Sequence, residues 1–510
     1  MNSQIGSEGS LLLAIDIGTT ALKAGIFTKT GEVCALSYNE YPLIYLSDNF
    51  IEQDALLWWS LTKQSIAECV EKIPSNRRRD IKVLGISTQG IAIVPVNHEG
   101  TPLANAISWL DTRGVDEAKV MEEHFGAEYL FNTTGVPPNP VWMLPKIMWV
   151  KKNLPEIYSR IESICTCQDF IIQRLTGSRV TDHSIAGGSM MYNMKKCDWS
   201  KEILDFGNIP IEKLPKLGWA GEVVGKMFPH VAKELGLPRD VQVVLGGHDQ
   251  QCAGLGGGLR KDRITVSLGT ASIIQGSLSY PVWDSKMRIP CLASVEKDKW
   301  VLESAVNIGG SGLQWLRDLL RGFSDKVLPD AKALDYGALI ELAMLSEEGS
   351  GDVRFYPHMT GATSPYWVSG TGMFDGLSLS CGISDIVRAV MEGWCYQIKH
   401  NAKIIQSLSN DVEEVVVFGG GAKSDFLTEL LANVLDIPIL VTKTPETALL
   451  GAAMVAGTGC GIYNNIPEAQ EQAVHYIKRV LPRKKSASVY KGLFEEYISK
   501  EKYLLRVSEL

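Results

Sequence analysis

Residues 11–20, LLLAIDIGTT, contain the clearest indication of the fold in this chain. Its apolar first half predicts a buried β-strand, which leads directly into Asp16-Ile17-Gly18-Thr19-Thr20. Residues 22–27 predict a second strand, which makes the segment a hairpin. The bend suits a phosphate group, because glycine frees backbone amides and threonine hydroxyls donate further hydrogen bonds. A plain β-turn has the same short pattern, so the motif by itself leaves both interpretations open.

A similar strand and turn occur in the second half of the chain. Residues 264–270, ITVSLGT, again run from an apolar strand into a glycine and a threonine, Gly269 and Thr270. One such turn in each half predicts two related α/β domains that face each other across a phosphate.

The bulk composition limits the class of protein. A chain of 510 residues is too long for one hydrophobic core, so two or more domains are expected. The net charge of −8 argues against a nucleic-acid partner. Residues 1–10 lack a signal-peptide pattern, and the apolar run 448–463 is too short to span a bilayer. Ten scattered cysteines are typical of a reducing compartment, so we expect a cytoplasmic protein with no membrane partner.

A carboxylate follows two glycines near the middle of the chain, in Gly246-Gly247-His248-Asp249-Gln250-Gln251. Residues 241–245 before it predict a short buried strand. Open α/β sheets bind ligands at strand ends, although a turn with a solvated aspartate is equally compatible with the hexapeptide alone. The two Gly-Thr turns, one before and one after, favour a position for Asp249 at the mouth of the cleft between the domains.

Two segments of the first half suit a polyol. Residues 81–87 predict a strand that ends at Thr88-Gln89-Gly90. Trp109, Asp111 and Arg113 alternate, so in an extended segment they would point to one side. An apolar plane beside a carboxylate and a guanidinium could hold a polyol, but a salt bridge over a packed tryptophan explains the pattern equally well.

Two glycine-rich segments of the second half suit a nucleotide. Residues 306–315 predict a turn that opens a helix, where an anion is favoured. Residues 419–424, GGGAKS, join a strand to a helix and let a heterocycle or a phosphate approach the backbone. This pattern is neither the Gly-x-Gly-x-x-Gly of dinucleotide-binding folds nor a P-loop, so a Rossmann dehydrogenase and a P-loop NTPase are both disfavoured.

In this order the residues resemble the FGGY family of carbohydrate kinases, within the actin-like ATPase superfamily, over nearly the whole chain. The most specific match is Gly372-x-Phe374-x-Gly376-Leu377 followed, after seven residues, by Asp385-Ile386-x-x-Ala389-Val390-Met391-Glu392, which satisfies the family's C-terminal signature. Lys146-Ile147-x-Trp149-Val150-x-Lys152-Asn153 matches most of the N-terminal signature, with Met143 where proline, serine or threonine is usual.

The resemblance implies an α/β fold of two ribonuclease H-like domains with a cleft between them. Residues 9–253 would form the N-terminal domain, residues 254–485 the C-terminal domain, and residues 486–510 a C-terminal helix. It also implies an ATP-dependent kinase for a small-molecule sugar, and a homodimer is compatible with it.

The resemblance further implies roles for individual residues. Asp249 would be the catalytic base, and Asp16 together with Asp249 would hold Mg²⁺. The residues implied to bind ATP are Thr19, Thr20, Lys23, Gly269, Thr270, Gly310, Gln314, Gly420, Gly421, Ala422 and Ser424. The residues implied to bind the sugar are Gln89, Gly90, Trp109, Asp111, Arg113, Asp249 and Gln250.

The identity of the sugar is predicted from Gly90 and Ile91. Glycerol kinases carry Arg-Glu in the matching positions and xylulokinases carry Met-His, so glycerol is disfavoured, although the xylulokinase pair is also missing. Gly90 predicts room for a substrate larger than glycerol. A pentulose such as xylulose is the first expectation, and gluconate or another sugar or polyol is the second. A different class, a non-catalytic actin-like protein or a sugar-sensing pseudokinase, is disfavoured by the intact Asp249.

Overall fold

The computed structural model describes residues 9–47, 49–327, 334–409 and 412–507. A seven-stranded sheet forms the centre of the first half. Its central strand, Leu11–Ile17, pairs antiparallel with Ala21–Thr28 and parallel with Ile81–Thr88. The spatial order is Val223–Lys226, Gln242–Val244, Ile81–Thr88, Leu11–Ile17, Ala21–Thr28 and Val33–Glu40, and the short strand Gly247–His248 also pairs with Ile81–Thr88.

A second seven-stranded sheet repeats this arrangement in the other half. Its strand Arg263–Ser267 pairs antiparallel with Ser272–Leu278 and parallel with Glu414–Phe418. The spatial order is Cys291–Ala293, Trp300–Val306, Ser272–Leu278, Arg263–Ser267, Glu414–Phe418, Ile439–Thr442 and Tyr476–Val480. The two strands that lead into Gly-Thr therefore occupy equivalent places in two similar sheets, as the sequence predicts.

Helices cover both sheets, and short strands lie at the edges. The helices are Ala55–Glu71, Val115–Phe125, Ala127–Thr134, Met143–Asn153, Pro155–Arg160, Cys167–Thr176, His183–Gly187, Lys201–Gly207, Pro229–Glu234, Asp249–Gly257, Gly310–Val327, Tyr336–Met344, Ile383–Leu408, Asp425–Leu435, Thr447–Gly459, Ile466–Ala473 and Lys484–Leu505. The short strands are Ile44–Ser47, Phe50–Gln53, Val94–Val96, Ala106–Ile107, Ser163–Cys165, Val180–Asp182, Tyr192–Asn193, Asp198–Trp199, Lys216–Gly218, Arg354–Tyr356 and Met373–Asp375. None of the helices in the described ranges is long and apolar enough to cross a membrane.

Two helices pack against each other beneath the cleft. Asp249–Gly257 contacts Thr447–Gly459, which also covers the strands Leu11–Ile17 and Ile81–Thr88. The domain boundary predicted after residue 253 falls inside the first of these helices. The contact is close, because a β-carbon at Gly451 would lie 1.9 Å from the carbonyl oxygen of Cys252.

Replacing Gly451 with Ala is expected to destabilise the protein by about 1–3 kcal/mol, the usual cost of overpacking, because backbone rather than a movable side chain blocks the new methyl group. Denaturant unfolding measures the change. Gly492→Ala is the matched control, since a β-carbon there meets no atom within 4 Å, and it should stabilise the protein by about 0.4–1 kcal/mol. Equal stabilities of the two variants would contradict the close helix contact.

The C-terminal helix Lys484–Leu505 is anchored by a buried carboxylate, although its mixed charges predict a surface helix over residues 484–510. Residues 508–510 lie outside the described part of the chain. Glu501 accepts hydrogen bonds from Tyr366 at 2.9 Å and from His358 Nε2 at 2.8 Å. Burial works to raise the pKa of Glu501, but the hydrogen bonds from His358 and His400 outweigh it and lower that pKa to about 2.

Glu501 should make the free energy of unfolding of the protein depend on pH in the acid range. A carboxyl whose pKa is lowered by folding stabilises the native state above its unfolded pKa of 4.5, and this contribution is lost as the pH falls through about 2. The difference in unfolding free energy between the protein and Glu501→Gln is expected to shrink by about 3 kcal/mol between pH 4.5 and 2. A difference that stays constant over this interval would show that Glu501 is not ionised in the folded protein.

Candidate active site

Two carboxylates meet at one edge of the first sheet. Asp16 lies near the end of Leu11–Ile17, and Ser87 on the neighbouring strand donates a hydrogen bond of 2.7 Å to its Oδ1. Asp249 follows the strand Gly247–His248, which pairs with Ser87 and Thr88, and it begins a helix. Parallel strands present their carboxyl ends at the same edge, so residues 233 positions apart in the sequence become neighbours.

The surroundings of these carboxylates favour their protonated forms. Burial, and secondarily the nearby charge of Asp249, raises the pKa of Asp16 to about 7. Burial also raises the pKa of Asp249, against the opposing effects of His248 and of the Gln250 backbone N–H, which donates to Asp249 Oδ1 at 2.6 Å. A carboxylate with a raised pKa is suited to accept a proton from a substrate near neutral pH.

Both turns that the sequence predicts to bind phosphate are present as turns. Each forms hydrogen bonds with another segment of the chain. In the first turn, Trp109 Nε1 donates to Thr19 Oγ1 at 2.9 Å, and Thr20 is exposed. In the second turn, the carbonyl oxygen of Gly269 accepts from Gly310 N at 2.9 Å, and that of Thr270 accepts from Ser311 Oγ at 2.9 Å. The first residues of helix Gly310–Val327 therefore pack directly on the second turn.

The glycine loop after strand Glu414–Phe418 also reaches the second phosphate turn. Gly421 N donates to the carbonyl oxygen of Leu268 at 2.8 Å, so Gly421 and Ala422 lie beside Gly269. Gly420 is exposed and a β-carbon there would meet no atom within 4 Å, which leaves its face open to a flat ligand. Ser424 Oγ accepts from Leu427 N at the start of the next helix, and Gln314 is exposed on helix Gly310–Val327.

Lys23, which the resemblance assigns to ATP, is engaged by the other half of the chain. Its Nζ lies 2.7 Å from Glu446 Oε2, just before helix Thr447–Gly459. Burial works to lower the pKa of Lys23, but the Glu446 carboxylate outweighs it, so that pKa rises. Lys23 is thus a charged link between the halves, next to Asp16 in the sheet partner strand.

The prediction that Trp109, Asp111 and Arg113 share one side of an extended segment is wrong. The chain turns at this point, since Asp111 N donates to the carbonyl oxygen of Ser108, and Trp109 is exposed whereas Asp111 is completely buried. Asp111 pairs with Arg113 at 2.8 Å, and Arg113 also pairs with Glu52 at 2.9 Å. The other interpretation, a salt bridge between Asp111 and Arg113, is therefore the one observed. This salt bridge is buried, and its charged atoms form their hydrogen bonds with other protein groups.

The predicted room beside Gly90 is also absent. A β-carbon at Gly90 would lie 2.2 Å from Cδ2 and 2.6 Å from Nε2 of His248, so the imidazole ring fills this space. Glycine is required here because the ring packs against the backbone, and not because a large substrate enters.

Several buried polar atoms surround Asp249 without a protein partner. Gln89 is 2% exposed, yet neither atom of its amide has a hydrogen-bond partner among the described residues. The same holds within these ranges for Thr88 Oγ1, His248 Nδ1 and Gln251 Nε2. Buried polar groups are nearly always paired in proteins, so a cluster of this kind is typical of a site for a polar ligand. Gln250, beside them, is partly exposed.

Two residues of this site, His248 and Glu303, were not predicted as site residues. Glu303 lies on strand Trp300–Val306 of the second sheet, where Gln275 Nε2 donates to its Oε2 at 2.7 Å. Burial raises the pKa of Glu303, His248 and Gln275 act to lower it, and Asp249 acts to raise it. The sequence WVLESAV has the ordinary alternation of a strand, so nothing in it indicates a functional role for Glu303. His248 could be noticed in the sequence only because it precedes Asp249.

Comparison with known proteins identifies the family. The model of the N-terminal domain of the FGGY family of carbohydrate kinases matches residues 11–256, and that of the C-terminal domain matches residues 264–460. A xylulose kinase from Bacillus subtilis (strain 168) is 27% identical over 493 residues, with 95% of each chain covered. A gluconokinase from the same organism is 27% identical over 501 residues, which cover 97% of this chain and 96% of that one.

A solved structure agrees with these matches. The gluconate kinase from Lactobacillus acidophilus superposes with a TM-score of 0.90 at 26% identity, over 98% of this chain and 99% of the other. The two halves, their equivalent sheets and the cleft between them are those of actin-like sugar kinases. The chain belongs to the FGGY family of carbohydrate kinases.

Proposed function

We propose that this kinase phosphorylates a pentulose of the xylulose type, with Asp249 as the catalytic base. FGGY kinases use ATP as the phosphate donor. The observation that carries the assignment of the base is the position of Asp249. It is a partly buried carboxylate beside Asp16, at the sheet edge where the turn predicted to bind phosphate also begins. A filament former or a molecular switch needs no such base on the sugar side.

In the proposed reaction a hydroxyl of the sugar gives its proton to Asp249 while its oxygen attacks the γ-phosphorus of ATP. The new phosphorus–oxygen bond forms as the bond from the γ-phosphorus to the bridging oxygen breaks, and ADP leaves with that electron pair. Proton transfer of this kind typically contributes about 10²–10⁴-fold to the rate. The remainder would come from positioning of the two substrates and from charge stabilisation at the phosphate.

Asp16 and Asp249 fit a magnesium ion. Mg²⁺ prefers oxygen ligands and retains several waters, so two carboxylates suffice for the protein's share of such a site. The pKa values of both carboxyl groups are raised, which shows that no nearby cation fully compensates their negative charge. A bound magnesium ion would supply that compensation. When bound, the ion would neutralise negative charge on the phosphates.

The nucleotide would lie between the two phosphate turns and the glycine loop. Thr19 and Thr20 on one side, and Gly269 and Thr270 on the other, would hold the phosphates. Gly310 and Gln314 would lie along the ribose and the phosphates, and Gly420, Gly421, Ala422 and Ser424 along the base. We propose that Lys23 acts through its ion pair with Glu446 and its proximity to Asp16 rather than by direct contact with phosphate.

Gln89, His248 and Gln250 are proposed to contact the sugar, with Trp109 as a wall beside the first phosphate turn. Asp111 and Arg113 would support this wall from behind, because their charges are paired. Glycerol remains disfavoured, since Gly90 and Ile91 replace the Arg-Glu pair of glycerol kinases. Gluconate is the second candidate, because the xylulose kinase and the gluconokinase of Bacillus subtilis are equally similar in sequence.

A coupled assay of ADP release, run over pentuloses, hexuloses, aldonates and polyols, tests the substrate. We expect the highest kcat/KM with a pentulose. Release with none of these sugars would instead support the sugar-sensing or actin-like alternative. The ten cysteines are free thiols, which supports the proposal that the reaction takes place in the cytoplasm.

A further inference from the structure

We propose that His248 and Glu303 together form a filter for uncharged substrates: they bind hydroxyls next to the one that is phosphorylated, and the Glu303 carboxylate disfavours sugars that carry a carboxylate. This inference rests on the proposed function and deepens it. It selects ketoses and polyols over aldonates, a choice that sequence similarity leaves open.

The imidazole of His248 is held in a fixed position. Its ring packs on the backbone of Gly90, and its backbone N–H donates to Ser184 Oγ at 3.0 Å. Its Nδ1 lies 3.5 Å from Asp249 Oδ1, which is too long for a good hydrogen bond, and it has no other partner among the described residues. The ring is therefore a polar surface beside the base, and one of its nitrogens is free to bind a sugar hydroxyl.

Glu303 is brought to the same place from the second domain. Gln275 stands opposite Glu303 in the antiparallel register of strands Ser272–Leu278 and Trp300–Val306, and it binds one carboxylate oxygen. Gln275 in turn packs on Gly254, where a β-carbon would lie 2.0 Å from its Oε1. Gly254 is in the middle of the helix that Asp249 begins, so Gln275 holds Glu303 beside that helix.

Two carboxylates, those of Asp249 and Glu303, lie at the filter. Glu303 interacts electrostatically with both Asp249 and His248. Among the described residues, no lysine or arginine forms an ion pair with Asp249 or Glu303. Two buried cations of the first domain are used elsewhere: Arg113 pairs with Asp111 and Glu52, and Lys146 donates to the carbonyl oxygens of Ile91 and Ser108.

An aldonate would therefore bring its carboxylate towards the Glu303 carboxylate, which has no lysine or arginine partner among the described residues to offset the repulsion. Like charges placed together in a partly desolvated site strongly reduce affinity. Hydroxyl groups meet no such repulsion, because they donate to Glu303 and either donate to or accept from His248. We expect kcat/KM for D-xylulose to exceed that for D-gluconate by on the order of 100-fold.

The test compares Glu303→Gln, which removes the charge at nearly constant shape, with Glu303→Asp, which keeps it. In Glu303→Gln the ratio of kcat/KM for D-xylulose to that for D-gluconate should fall by at least about 10-fold, while the KM for ATP stays unchanged. Glu303→Asp should largely preserve the ratio, which a merely structural role would not predict. Glu296→Gln is the matched control, because this half-buried glutamate of the same hairpin lines a separate cavity with Arg260, Lys261 and Lys299.

His248→Asn tests the other half of the filter. It should raise the KM for D-xylulose at least about 10-fold without changing the KM for ATP. Calorimetric binding of D-xylulose and D-gluconate without ATP gives the same comparison for variants too slow to assay.

The outcomes separate the filter from the proposed kinase activity. An unchanged sugar ratio in Glu303→Gln, or a wild-type preference for D-gluconate, would overturn the filter and leave the kinase assignment intact. A wild-type protein that binds D-xylulose in preference to D-gluconate but releases no ADP would support the filter and contradict turnover. Failure to bind either sugar would overturn the filter.

Discussion

Asp249→Asn is expected to lower kcat for sugar-dependent ADP release by about 10²–10⁴-fold, the contribution of a general base. Asparagine keeps the shape of the side chain but cannot accept the proton of the attacking hydroxyl. The Asp249 side chain is only 17% exposed, so few water molecules can reach the site to take over the role of the base. A coupled ADP assay at saturating ATP and sugar measures the change.

The control for this variant is the binding of ATP. In the proposed reaction Asp249 acts on the sugar hydroxyl, so the Kd for ATP without Mg²⁺, measured by calorimetry, should remain within about 3-fold of the wild-type value. A variant with normal turnover would show that another group accepts the proton. A variant that no longer binds ATP would show instead that Asp249→Asn disturbs the fold of the cleft.

Asp16→Asn is expected to weaken the apparent affinity for Mg²⁺ by about 10–100-fold, which is the usual effect of removing a residue that supports a metal site. High Mg²⁺ should then recover much of the lost activity, unlike in Asp249→Asn. The physical reason is that Asp16, in the proposed mechanism, transfers no proton. It contributes only its negative charge and the orientation of the magnesium ion. Titration of activity with Mg²⁺ at fixed ATP separates the two variants.

Ser87→Ala is a useful companion to Asp16→Asn. It removes the hydrogen bond to Asp16 Oδ1 but retains the charge, so its Mg²⁺ titration should lie between those of the wild type and Asp16→Asn. If Asp16→Asn has wild-type dependence on Mg²⁺, Asp16 is not part of the magnesium site.

The architecture was largely predictable because it repeats a local pattern. LLLAIDIGTT and ITVSLGT each specify a buried strand and a turn by residues adjacent in the chain, and both form the expected hairpins in equivalent sheets. The apolar pattern of residues 51–70 predicts one helix, and here the same local reasoning is wrong. Residues Phe50–Gln53 form a strand there and the helix begins at Ala55, because the Asp54 carboxylate accepts from the N–H groups of Leu56 and Leu57 and caps it.

The sugar side of the site was predictable only in part. Asp249 and Gln89 stand at strand ends, which the sequence marks with apolar runs and glycines. The shared orientation of Trp109, Asp111 and Arg113 was mispredicted, because alternation along the sequence does not reveal that the chain turns here and that Asp111 and Glu52 pair with Arg113. Gly90 was misjudged for a similar reason, since a glycine leaves room only if nothing else fills it.

The family, the two related α/β domains and their strand-and-turn hairpins were readable from the sequence, because each depends on residues close together in the chain. The surroundings of Asp249 became visible only in the folded chain. The ring of His248 on Gly90, the pairing of Lys23 with Glu446 and the approach of Glu303 from the second sheet join residues more than 50 positions apart. Such contacts arise from how the sheets and helices pack, and no pattern within a single segment encodes them.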